Sequence, residues 1–115
     1  MVKVTFDSKD KKLLVKIKGH AGQAEKGHDV ICASCTILAY SIAQIVKNAE
    51  IDGKLEIAPK IRLTDGDAMV MCKPKEAFYK EILQSFITVE TGYTLLTHNF
   101  PQYVELNSFG EAFKP

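Results

Sequence analysis

The sequence predicts an α/β (α+β) fold, a mainly antiparallel sheet carrying two long helices in the order β-β-α-β-β-α-β. Three observations lead there. Short segments near the start alternate apolar and charged residues with the period of half-exposed strands. Two longer segments repeat apolar residues at helical spacing, and Asp-Gly pairs and prolines punctuate the intervals. A chain of 115 residues, 46% hydrophobic and 25% charged, is expected to form a single domain over 1–115. That length can bury a core without disulfides or a structural metal.

Taken in order, Val2, Val4 and Phe6 alternate with Lys3 and Thr5, which is strand periodicity. Asp7-Ser8-Lys9-Asp10 reads as a turn, and a second strand places Leu13, Val15 and Ile17 opposite Lys12, Lys16 and Lys18. The two should pair as an antiparallel hairpin. After a loop from Gly19 to His28, Asp29 is expected to open a helix running to about Ala49. Its apolar stripe would be Ile31, Cys35, Leu38, Ile42, Ile45 and Ala49. Asp52-Gly53 ends it.

Leu55 to Pro59 and Lys60 to Thr64 are strand-like, with Pro59 at an edge or break. Asp65-Gly66-Asp67 turns into a further strand, Ala68 to Lys73, and so closes a second hairpin. Pro74-Lys75-Glu76 starts the second helix, where a missing proline N–H does no harm. Phe78, Tyr79, Ile82, Leu83, Phe86, Val89 and Tyr93 give that helix a broad apolar face. Asn99 and Pro101 stop it, and Tyr103 to Leu106 supply a last strand.

A net charge of +1 gives no concentrated positive field, so no direct nucleic-acid partner is expected. The N-terminus turns charged before any long apolar run, and no stretch is expected to reach the roughly 18 apolar residues that span a bilayer. A membrane partner is therefore not expected either. Three cysteines make an odd number and no disulfide framework, which suits a reducing cytoplasm.

The chemistry concentrates in GHAGQAEKGHDVICASC, residues 19 to 35. Three glycines, two histidines and two cysteines share those seventeen positions. Cys35 lies on the apolar stripe and reads as a core side chain, as does Cys72 in its strand. Cys32 lies on the adjacent flank with Thr36, Ala39 and Ala43, where small residues leave space. If Asp29 caps the helix, Cys32 sits among backbone N–H groups lacking intrahelical partners, which favour a thiolate. His20 directly follows a strand and is bracketed by Gly19 and Gly22. A histidine there can take a thiol proton and return it to a leaving amine.

Other readings stand beside this one. Either histidine can be a general base, a metal ligand or a surface residue. His20, His28, Cys32 and Cys35 are four zinc-type ligands, and CxxC at a helix start is also a redox signature. Against both, Cys35 points into the stripe, and the chain opens with a hairpin rather than a parallel βαβ unit. A non-enzymatic binding module is the alternative from another class; the resemblance given next would make it ribosome-associated. His98 falls at the carboxyl end of the second helix, where a cation is favoured.

The stretch GHAG, a short glycine-containing loop, then G-x-D-V-I-C-A resembles the ribosomal-processing cysteine proteases, the Prp family, over nearly the whole chain. The motif fixes a histidine and a cysteine twelve residues apart across a strand–loop–helix junction. The resemblance implies that His20 and Cys32 are the catalytic pair. It also implies supporting positions at Asp29 before the cysteine, Ala33 after it and Thr36 four residues on. Gly19, Ala21, Gly22 and Gly27 would belong to a substrate loop, with 21 to 27 as a mobile lid. The activity implied is a cytoplasmic cysteine endopeptidase, a homodimer with neither cofactor nor metal. Its partner would be the N-terminal extension of a precursor ribosomal protein, number twenty-seven of the large subunit, which it removes.

Overall fold

Alternation in the first segment becomes strand β1 (Val2–Lys9), which buries Val2, Val4 and Phe6 and exposes Lys3. Strand β2 (Lys12–Lys18) buries Leu13, Val15 and Ile17 on the same side. The structure, a computed structural model, describes residues 1–20 and 28–108. The two strands pair antiparallel with Lys9 opposite Lys12. Asp10 and Lys11 between them both take positive φ, 53° and 65°, the geometry of the two-residue turn that matches strand twist.

Helix α1 (His28–Ile51) begins one residue earlier than expected, so Asp29 lies inside the first turn rather than ahead of it. Its end is a glycine cap. Lys54 N–H reaches the Ala49 carbonyl at 2.9 Å and Gly53 N–H the Glu50 carbonyl at 3.1 Å, with Gly53 at φ +70°. The buried face is Ile31, Cys35, Ala39, Ile42, Ala43, Val46 and Ala49. This differs from the expected stripe, because Leu38 and Ile45 are only half-buried. Alanines at 39 and 43 let the helix approach its neighbours closely, and Leu38 turns to the second helix. There it meets Gly92, where an added Cβ would lie 2.7 Å from Leu38 Cδ2.

Val30–Ile51, 22 residues, is long and apolar enough to cross a bilayer by length and composition alone. That corrects the expectation that no stretch approached this limit. Only 33% of that stretch is buried, on the inner face just described.

Residues 55–59 do not form the expected strand. Leu55 makes one isolated bridge to Pro74, and Glu56 N–H bonds the Lys73 carbonyl at 2.8 Å. Pro59 has no N–H to extend the ladder, and Ile57 stays exposed. Strands β3 (Lys60–Thr64) and β4 (Asp67–Cys72) then form the second hairpin around Asp65-Gly66. A 3₁₀ turn at Glu76–Phe78 leads into α2 (Tyr79–Asn99), which buries Ile82, Leu83, Phe86, Val89 and Tyr93 and carries His98 in its last turn. Strand β5 (Val104–Asn107) pairs parallel to β1.

The five-stranded sheet runs β3-β4-β2-β1-β5, antiparallel except at β1–β5. Both helices lie on the face that buries Val4, Phe6, Val15 and Val70, α1 over β4 and β3 and α2 over β5. Tyr93, fully buried, locks the layers together. Its ring meets Phe6 edge-on at 6.0 Å, and its hydroxyl donates to the Cys35 carbonyl at 2.8 Å. Burial raises the phenol's pKa, so the hydroxyl stays a donor.

Candidate active site

His20 leaves the end of β2 under tight backbone control. Gly19 takes φ +97°, and its N–H donates to the Gly66 carbonyl at 2.9 Å. A Cβ at Gly19 would strike the Met1 carbonyl, so only glycine allows this approach. The Met1 amino nitrogen donates to the His20 carbonyl at 2.6 Å. The residue is thus held from the start of β1 and from the β3–β4 turn. Its imidazole is 60% exposed, with Nδ1 4.0 Å from Asp65 Oδ1.

Cys32 is carried by α1. Of the three cysteines it alone is half-buried, while Cys35 and Cys72 are buried. Burial, and secondarily the negative charge a Cys32 thiolate would carry, pushes the Cys35 thiol up to about 11. Burial alone pushes Cys72 up to about 12. Both stay protonated at neutral pH, and neither is available as a thiolate nucleophile.

A cleft of about 230 Å³ opens between helix and sheet end, with Cys32, Thr36 and Tyr40 on one side and His20, Asp65 and Gly66 on the other. The space that small residues leave above the Cys32 flank is therefore this cleft, with Ala39 in its floor.

Of the residues singled out in the sequence, His20, Cys32, Thr36 and Gly19 line one cleft. Ala33 is exposed on α1 and is not part of the lining. Asp29 belongs to the first turn of α1. Ala21, Gly22, Gly27 and the lid expected over 21–27 lie outside the described residues. Among the described residues, no three His, Cys, Asp or Glu side chains gather as a metal site.

Sequence reading missed Asp65 and Tyr40. Asp65-Gly66 is an ordinary hairpin turn by composition. Only the pairing of β4 with β2, which sets Asp67 opposite Lys18, brings that turn to His20.

The family model described as cysteine protease Prp matches residues 1–105. No curated protein matches the chain. Among solved structures, SMU.848 from Streptococcus mutans is similar, at 24% identity over 94% of this chain and 93% of that one, with a TM-score of 0.67. So is the essential ribosomal processing protease Prp from S. aureus in complex with a substrate peptide, at 23% identity, 94% and 99% coverage and a TM-score of 0.61. The same protease with a covalently linked product peptide gives 24% identity, the same coverage and a TM-score of 0.61. At these identities the likeness is one of fold.

Proposed function

The chain belongs to the cysteine protease Prp family, and from that membership we propose that Cys32 is its nucleophile and His20 its general base and acid. Membership makes the protein a cysteine peptidase and sets aside the non-enzymatic binding module. The observation that carries the residue assignment is the shared cleft, into which one histidine and the one incompletely buried cysteine both open.

In this mechanism His20 takes the Cys32 proton as the sulfur attacks the scissile carbonyl. The tetrahedral oxyanion collapses, the C–N bond breaks, and the leaving amine receives the proton from His20. Water, deprotonated by the same imidazole, then cleaves the thioester and frees Cys32. A covalently linked product peptide in the S. aureus relative accords with a route through a covalent intermediate. We assign stabilisation of the oxyanion to backbone amides at the start of α1, the positive end of its dipole. Thr36 adds a hydroxyl on the Cys32 side of the cleft.

The substrate we assign is the N-terminal extension of the precursor of large-subunit ribosomal protein number twenty-seven. It rests on the motif around His20 and Cys32 and on a substrate peptide seated in the S. aureus relative. The working form we assign is a homodimer. Its contact surface would be α1, where Val30 is 62% and Ile37 61% exposed, rather than α2, whose apolar face is mostly buried.

The test is cleavage of a synthetic precursor peptide followed by mass spectrometry. Cys32→Ala and His20→Ala should abolish cleavage, while Cys35→Ala retains most of it. Equal loss from both cysteine variants, or residual turnover by Cys32→Ala, would remove the assignment.

A further inference from the structure

The β3–β4 turn carries no sequence signal of chemistry, yet two of its residues sit against the imidazole from different sides. A Cβ built on Gly66 would lie 2.6 Å from His20 Nε2, 3.0 Å from Cε1 and 3.4 Å from Cδ2. The Nε2 edge of the ring therefore rests where a side chain would otherwise be. At the other nitrogen, Nδ1, the Asp65 carboxylate stands 4.0 Å away on a side chain 98% exposed. Rotation of that side chain is unhindered, and such contacts commonly tighten once substrate is bound. The turn itself is fixed to the residue that precedes His20, through the Gly19 N–H bond to the Gly66 carbonyl.

We propose that Asp65 and Gly66 are the positioning residues of His20, the turn being a third element of the catalytic apparatus beside β2 and α1. Asp65 keeps a proton on Nδ1 and leaves the Nε2 lone pair to accept the thiol hydrogen. Gly66 provides the space in which that nitrogen is accessible. No proton leaves Asp65 in the cycle, so the balance of the peptidase reaction is unchanged. The inference rests on the assignment of His20 as base.

Gly66 is glycine for two separable reasons, and Gly53 isolates one of them. Both take left-handed backbone, φ +72° and +70°, but a Cβ at Gly53 meets nothing within 4 Å. Alanine is strained at either site. Only at Gly66 does it also strike the imidazole.

The experiment compares Gly66→Ala, Gly53→Ala, Asp65→Asn and Asp65→Glu with the parent protein, by thermal melting and by steady-state cleavage of the precursor peptide. Both glycine variants should lose similar stability. Only Gly66→Ala should lose kcat, by roughly 100-fold, with KM within about twofold of the parent. Asp65→Asn should lower kcat by roughly tenfold, far less than loss of a buried triad carboxylate because solvent screens the pair. Asp65→Glu should recover part of that loss. Nitrogen-15 shifts of the His20 ring should report Nδ1–H in the parent and a mixture of tautomers in Asp65→Asn, a variant at an exposed position that keeps the fold. Equal kcat in the two glycine variants, or an unchanged tautomer in Asp65→Asn, overturns the inference. Cys32→Ala and His20→Ala in the same assay separate the two failures. Turnover by either removes the dyad itself, whereas silence from both alongside normal Gly66→Ala removes only the role of the turn.

Discussion

Replacing Tyr93 with phenylalanine removes one buried hydroxyl and nothing else, because the edge-on contact of its ring with Phe6 needs no oxygen. The hydroxyl donates to the Cys35 carbonyl at 2.8 Å. That carbonyl lies mid-helix and keeps its bond from the amide four residues on, so it is not orphaned. The cost is therefore the net worth of one neutral hydrogen bond, about 1 kcal/mol, and not the larger penalty of a stranded acceptor. For a chain of this size that is a fall in Tm of roughly 4 °C. Tyr93→Ala, by contrast, empties the space of a fully buried ring and should cost about 3–5 kcal/mol. Reversible thermal or urea unfolding measures both.

The pH dependence has a definite sign. Burial raises the folded-state pKa of the phenol above its unfolded value of about 10. Its contribution is therefore fully present below pH 10 and is lost above it, so the gap between parent and Tyr93→Phe should be constant from pH 6 to 9. Because Cys32 lies one turn ahead of Cys35, loosening this clasp should also lower kcat several-fold. A phenylalanine variant as stable as the parent would show that the hydroxyl does not tie the helices together.

Two further outcomes follow from exposure and charge. Iodoacetamide at pH 8 should label Cys32 in the native protein and spare Cys35 and Cys72, whose thiols are buried and pushed up to about 11 and about 12. Urea should open all three to labelling, and native labelling of Cys72 would contradict its place in the core. Ile37→Glu puts a charge on the exposed apolar face of α1 and should leave Tm within about 2 °C, since surface changes cost little. Sedimentation should then show a dimer turned to monomer, and an unchanged sedimentation coefficient would move the contact off this face.

The elements legible in the sequence are those whose signal is local. Val4 and Phe6, or Leu13 and Val15, reveal β1 and β2 because one face of the sheet is covered and the other is not, so polarity alternates along the strand. Asp52-Gly53 marked the end of α1 because the capping geometry needs positive φ there. The misread segments depend on partners distant in the chain. Leu55 to Pro59 has strand composition but finds only a single bridge to Pro74. The buried face of α1 is turned toward Ala39 and Ala43 because Gly92 on α2 gives Leu38 somewhere to go, which no window on α1 alone contains. Asp65 read as a turn residue, and it is one. Its proximity to His20 follows from the β2–β4 register, which pairs residues some fifty positions apart.

That register bears on how the proposed dyad is held. Cys32 and His20 are joined in sequence by residues 21–27, but their spacing does not depend on that connection. Cys32 is placed by Ile31 and Cys35, buried on either side of it in the core, and by alanines that set how near α1 comes to the sheet. His20 is placed by two backbone bonds, one to Met1 and one linking Gly19 to Gly66. The backbone positions that carry sulfur and imidazole are thus set by how α1 packs on the sheet, and close packing changes little. The proposed nucleophile and base are held by separate elements, α1 and the end of β2. They also place the burden of geometry on residues such as Ala39 and Gly66, whose contribution is the absence of a side chain rather than the chemistry of one.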